Sequence, residues 1–269
     1  MGAVVSVFEP LRCSVRRISD VPIRDLEYGD TVFCKAGSEM VLFADRKTKS
    51  LFLLYTFHPY DYTKIATLTC ALRETAYLQE GLVALTTDTT SLYLIDVAKQ
   101  PAGLTNVSIP ELYTAIAPGL HNTIIVSPDN KPGTLDVIDR RGHLLKTICI
   151  EDSDFASPTM MCRRKNRVLL LKSKKPKILQ IRLTANDPKN LYFPCPFNPI
   201  RLFVDHLDNV YITNDYVNVS VMNTKGDWRN LDMNNYGGIV VTEKGKAFTG
   251  DCSPGGREIP VLVYDLTND

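Results

Sequence analysis

The stretch LVALTTDTTSLYLIDV, residues 82–97, reads as two apolar strands joined by a short polar turn that opens on Asp88. Apolar and polar residues alternate through LYLIDV, the period of a β-strand rather than of a helix. The same design recurs upstream as VLFAD-RKTKS-LFLLY (41–55). Downstream it recurs as TIIVSPD-NKPG-TLDVID (123–139), RVLLLKS-KKP-KILQIRL (167–183) and NVYITND-YVN-VSVMN (209–223). A sixth copy is KAFTGD-CSPGGREI-PVLVYDL (246–266). Indexed on Asp45, Asp88, Asp129, Lys174, Asp215 and Asp251, the copies are 43, 41, 45, 41 and 36 residues apart. A period near 40 built on paired strands is the signature of propeller blades, since helical repeats of that length would carry a 3.6-residue periodicity.

Composition agrees. Val, Ile and Thr supply 62 of the 269 residues, while Ala and Glu supply 23. The first group suits pleated sheets and the second helices. Another 67 residues are Asp, Asn, Gly or Pro, the turn formers. The fold expected is all-β: a six-bladed β-propeller of four-stranded antiparallel blades. Blades are expected at about 23–70, 71–106, 107–150, 151–190, 191–233 and 234–266, forming one domain over 1–269. The last blade runs out of chain before its outer strand. Residues 13–18 offer the missing strand and would close the ring, removing an exposed edge.

Several functional classes are excluded or weakened. With 31 basic and 30 acidic side chains the net charge is +1, so no bulk field drives the chain to nucleic acid or an acidic membrane. The seven cysteines are scattered, with no C-x-x-C pair, which argues against a disulfide scaffold or a zinc module and suits a cytoplasmic chain. No apolar run approaches the ~18 residues of a membrane span. The histidines His58, His121, His143 and His206 are dispersed, although His121 and His206 fall at corresponding turns of blades three and five. No H-E-x-x-H, G-x-S-x-G, phosphate loop or dinucleotide fingerprint occurs.

VLFADRKTKSLFLLY and NVYITNDYVNVSVMNTKG resemble NHL-type repeats, in which Asp ends one strand and a Gly-containing turn closes the next. LVALTTDTTSLYLIDV and RRGHLLKTICI are similar to the six-bladed propellers at the C-termini of invertebrate tripartite-motif (TRIM-like) proteins. Blade four departs from the pattern at Lys174, and blade six has a longer turn at 252–258. The resemblance implies a recognition module that contacts proteins, or in some members RNA, through one face of the disc. The RING and B-box zinc patterns that carry ligase chemistry in such proteins do not occur in this sequence.

Three site readings follow. The repeated Asp residues are expected to accept backbone N–H groups within their own turns. Residues 163–177 hold eight basic side chains and no acidic one, but the blade register splits them between opposite faces of the disc. The partner-binding face is therefore drawn from equivalent turns: Arg46, Lys47, Lys49, Lys131, Lys174, Lys175, Lys177 and Arg257. Aromatic-rich connections at Phe57, His58, Tyr60 and Tyr62, and at Tyr192, Phe193 and Phe197, are expected to pack between blades or to serve as anchors. Finally, Met-Gly-Ala-Val-Val-Ser matches the N-myristoylation form at Gly2, and membrane contact is expected only through that group.

The function expected is a non-catalytic scaffold that binds a protein partner. The alternatives are RNA recognition by the Lys/Arg-bearing face and a metal-dependent lactonase-type hydrolase. No cofactor and no small-molecule substrate are expected.

Overall fold

A computed structural model describes residues 13–23, 31–57, 59–79, 81–172, 175–184, 191–214, 219–233, 238–250 and 259–268. Strand β1 spans Cys13–Ile23. Blade one holds β2 (Thr31–Lys35), β3 (Met40–Asp45), β4 (Ser50–Tyr55) and β5 (Tyr62–Thr67). Blade two holds β6 (Leu72–Gln79), β7 (Leu82–Thr87), β8 (Ser91–Asp96) and β9 (Gly103–Ser108). Blade three holds β10 (Tyr113–Pro118), β11 (Ile124–Pro128), β12 (Thr134–Ile138) and β13 (Leu144–Cys149). Blade four holds β14 (Met160–Arg164), β15 (Arg167–Leu171), β16 (Lys177–Arg182) and β17 (Leu191–Pro194). Blade five holds β18 (Arg201–Val204), β19 (Val210–Thr213), β20 (Val219–Met222) and β21 (Trp228–Leu231). Blade six holds β22 (Ile239–Val241), β23 (Lys246–Gly250) and β24 (Ile259–Asn268).

Each blade is a four-stranded antiparallel sheet in simple up-and-down order. The sixth sheet reads β1-β24-β23-β22, so the N-terminal strand supplies its outer edge. The pairing runs from Cys13 opposite Asn268 to Ile23 opposite Ile259. It is longer than the expected 13–18. Ile23 therefore belongs to the closing strand and not to the start of blade one, because burial against blade six continues to that residue. The second departure is in blade four, whose outer strand lies at 191–194, beyond the expected limit of 190. Two prolines, Pro194 and Pro196, make this stretch look like a connection, yet Leu191 to Pro194 pair with β16. An outer strand tolerates proline because its far edge needs no N–H donor.

The core follows from period-2 patterning. Each blade packs its two faces against its neighbours, and six apolar clusters fill the six blade-to-blade interfaces. The interface that closes the ring joins Phe33, Phe43 and Phe52 of blade one to Val240, Phe248 and Val263 of blade six, with Val21 and Ile23 of β1. There Phe43 and Phe52 stack with centroids 4.9 Å apart.

Two faces result. The lower face carries the second-to-third strand turns that open on the indexed Asp residues. The upper face carries the first-to-second and third-to-fourth strand turns. On the lower face Asp45 behaves as expected, accepting the Lys47 N–H at 2.9 Å and the Thr48 hydroxyl at 2.8 Å. Asp88 instead accepts the Ala71 N–H at 2.8 Å, bracing the link between blades one and two. Asp129 faces Arg73 at 3.7 Å across blades two and three. Asp215 and Asp251 lie outside the described residues.

Local turn chemistry is more regular on the upper face. Asp139 accepts the N–H groups of Arg141 and His143, and Asp205 those of Leu207 and Asn209. Asn223 does the same for Lys225 and Asp227, and Thr242 accepts the N–H of Lys246. In all four turns the residue three positions on has positive φ: Gly142, Asp208, Gly226 and Gly245. Each is a five-residue turn locked by its first side chain.

Candidate functional site

All six innermost strands face a central channel. Its upper half opens as a funnel of about 520 Å³. The funnel wall is apolar and soft: Phe33 and Cys34 from β2, Tyr77 from β6, Met160 and Cys162 from β14, and Phe203 from β18. A volume of this size lies in the range of ligand clefts, and an apolar wall with a few polar groups at its edge is their usual make-up.

The rim is built by the upper turns and is ion-paired. Lys35 meets Glu243 at 2.6 Å, linking blades one and six, and lies 5.5 Å over the Tyr77 ring. Lys165 meets Asp208 at 3.2 Å, linking blades four and five. Hydrogen bonding to the Lys35 ammonium holds the Glu243 carboxyl below its ordinary range. His206, at the tip of the β18–β19 turn, is exposed on the rim. His121 lines a smaller adjoining hollow with Asn122, Arg140 and Arg163, so both histidines open on the upper side.

The funnel thiols are chemically quiet. Cys162 donates to the Leu202 carbonyl at 3.1 Å, and the Leu202 N–H lies 3.0 Å from the Met160 sulfur. Burial pushes the Cys34 thiol up to about 12 and moves Cys162 the same way. Both are protonated at neutral pH, and a thiol rather than a thiolate is a poor nucleophile. Among the described residues no three His, Cys, Asp or Glu side chains converge as a metal site. No described helix is long and apolar enough to cross a membrane.

At the lower end the channel wall turns polar. Glu74 of β6 is held by two guanidiniums: Arg46 Nη2 at 2.6 Å and Arg201 Nη1 at 2.7 Å, both on Oε1. Arg201 lines both the funnel and the lower hollow, so this cluster stands between the two ends of the channel.

The basic residues read from the sequence fall in the lower turns, and the structure gives each described one a local partner. Arg46 is engaged with Glu74, and Lys47 donates its backbone N–H to Asp45. Lys49 Nζ reaches the Thr69 carbonyl at 3.1 Å. Lys131 pairs with Glu111, and Lys175 with Asp154 at 3.0 Å. Lys177 pairs with Asp154 at 3.2 Å and lies over the rings of Phe155 and Tyr192. Lys174, Arg257 and Gly2 lie outside the described residues. The aromatic connections divide. Tyr60 packs edge-on to Phe248 between blades one and six, and Tyr62 packs on Phe52. Tyr192 and Phe193 sit in β17, while Phe57 is half exposed. His58 is not among the described residues.

The funnel itself was not read from the sequence. Its residues come from the first strand of each blade, and only the rule that inner strands line the axis could have pointed to them.

No known protein family and no curated sequence matches the chain. Solved structures do. A streptogramin B lyase superposes with a TM-score of 0.60 at 12% identity, covering 97% of this chain and 90% of that one. A protein of unknown function from Bacteroides thetaiotaomicron superposes with a TM-score of 0.70 at 12% identity, covering 94% and 76%. Virginiamycin B lyase from Staphylococcus aureus gives 0.58 at 11% identity over 88% and 81%. At such identities the likeness is one of fold.

Proposed function

We propose that the chain is a non-catalytic recognition module that holds a protein partner at the upper mouth of its channel. One observation carries this reading: the funnel pairs an apolar wall of Tyr77, Met160 and Phe203 with a rim whose charges already neutralise one another. Such a surface suits an apolar side chain presented on a polar backbone, with the buried contact at the centre and a wet rim around it. The NHL-like repeat pattern supports the same use of a propeller face. The lower-face lysines contribute little free charge for a phosphate backbone, since Lys131, Lys175 and Lys177 face carboxylates. Burial of Cys34 and Cys162 in the protonated form likewise favours binding over nucleophilic chemistry.

The test is site-specific photo-crosslinking in the native cell. A photoreactive residue at position 35 or 165 is expected to capture one discrete protein band, while the same residue at 131 on the lower face does not. Equal capture from both faces, or RNA recovered in place of protein, would overturn the assignment.

A further inference from the structure

The upper mouth is not neutral all the way round. Lys35 and Lys165 on its rim face carboxylates, and the funnel's acidic residues Asp205, Asp208 and Glu243 all belong to blades five and six. Toward blades two to four the funnel runs into the smaller hollow, with Leu78, Gln79 and Arg163 lining both. That hollow measures about 440 Å³ and is lined by Arg140, Arg163, His121, Asn122 and Gln79, with no acidic side chain among its described lining residues. Three blades build it. Gln79 ends β6, and His121 and Asn122 lie in the β10–β11 turn. Arg140 belongs to the turn that Asp139 locks, and Arg163 lies in β14. Both guanidiniums are fixed, but on neutral acceptors. Arg163 donates to the Gly119 carbonyl, and Arg140 Nη2 lies 3.3 Å from Asn122 Oδ1. Gln79 donates to the same oxygen, which leaves the Asn122 amide nitrogen as a further donor. Neither arginine meets a carboxylate among the described residues.

We propose that this hollow takes a carboxylate of the protein partner whose apolar side chain fills the funnel. The assignment rests on the protein-partner reading of the upper mouth. Two guanidiniums held by neutral acceptors keep their positive charge unanswered, and a carboxylate offers each of them an oxygen. The planar fork of arginine suits that acceptor. Because the two cavities share a wall, the carboxylate belongs to the apolar residue itself or to a near neighbour in its chain. It is therefore either an Asp or Glu side chain beside the apolar residue, or the terminal carboxylate of a chain that ends on it.

The probe is a pool of random N-acetylated heptapeptides, half with a free C-terminus and half amidated, passed over the immobilised whole chain. Retained peptides are expected to pair an apolar residue with a carboxylate, enriched about tenfold over counterparts with Gln or an amide in its place. Enrichment of Asp or Glu in both halves identifies a side chain, and enrichment confined to the free-acid half identifies a chain end. Arg140→Gln and Arg163→Gln should each erase the acidic preference and keep the apolar one, which doubles as the control for folding. Lys131→Gln on the lower face should change neither. The comparison of acid with amide in the wild type needs no variant. Apolar peptides retained without acidic preference overturn the proposal, as does an unchanged acidic preference in both arginine variants. Preference for phosphoserine over Glu in a spiked pool, or no retained peptide at all, overturns it too. Crosslinking from positions 35 and 165 judges the protein-partner reading separately, so a captured protein band without acidic preference removes the carboxylate alone.

Discussion

Asp205 shows how one side chain can be read from its partners. It opens the β18–β19 turn beneath His206, accepting from the Leu207 and Asn209 backbone, the Asn209 amide and the Tyr211 hydroxyl. Those donors favour the ionised form, but burial outweighs them and raises the carboxyl above 3.8. The sign of the consequence follows. As pH rises past about 4 the unfolded chain releases this proton first, while the folded chain still holds it, so unfolding is favoured across that interval. Urea unfolding at successive pH values is therefore expected to show the margin of wild type over Asp205→Asn shrinking as pH rises from about 4. A margin that stays level or widens would contradict the burial argument. None of this was visible in DHLDN, where Asp205 looks like any turn residue. In the fold it is buried, with the Tyr211 hydroxyl of β19 donating to its Oδ2 at 3.2 Å.

The upper-face turns carry a prediction at the level of the element. Gly142 and Gly226 occupy equivalent positions, with φ of +86° and +97°. A Cβ at Gly142 would stand 2.5 Å from the Ser108 carbonyl oxygen of the neighbouring blade, whereas one at Gly226 meets nothing within 4 Å. Gly226→Ala should cost about 1 kcal/mol, the strain of the left-handed backbone alone. Gly142→Ala should cost clearly more, since backbone must move as well. Denaturant midpoints of the two variants measure the difference, and equal losses would mean that the inter-blade contact carries no weight. RRGH and TKGD announce both turns in the sequence. The sequence does not say that only one of them is pressed against the next blade.

For the whole molecule the decisive contact is ring closure. β1 is the outer strand of blade six, and Val21 and Ile23 fill the interface between blades six and one. A chain beginning at residue 24 should lose that apolar burial and expose the β24 edge. An exposed, unpaired edge recruits other chains. Size-exclusion chromatography is expected to show association, with a lowered thermal midpoint, and adding a peptide of residues 13–23 should reverse both. A truncated chain that stays monomeric and equally stable would show that closure is dispensable.

Repeat number, strand pairing and ring closure were all legible in the sequence. Period-2 patterning, turn residues and a 40-residue recurrence are local properties, and a chain short of one outer strand has one sensible place to find it. The ends of the strands were less so. Ile23 and the Leu191–Pro194 strand take their roles from neighbours distant in sequence. The two ends of the channel were decided by tertiary structure alone. Glu74 and Arg201 are 127 positions apart and meet only because inner strands of blades two and five share an axis. Charge on the lower face changed meaning in the same way. Lys131 pairs with Glu111, and Lys175 and Lys177 of the basic run share Asp154, once the fold brings those carboxylates within reach. Pairing of that kind depends on distance in space, which no one-dimensional pattern records.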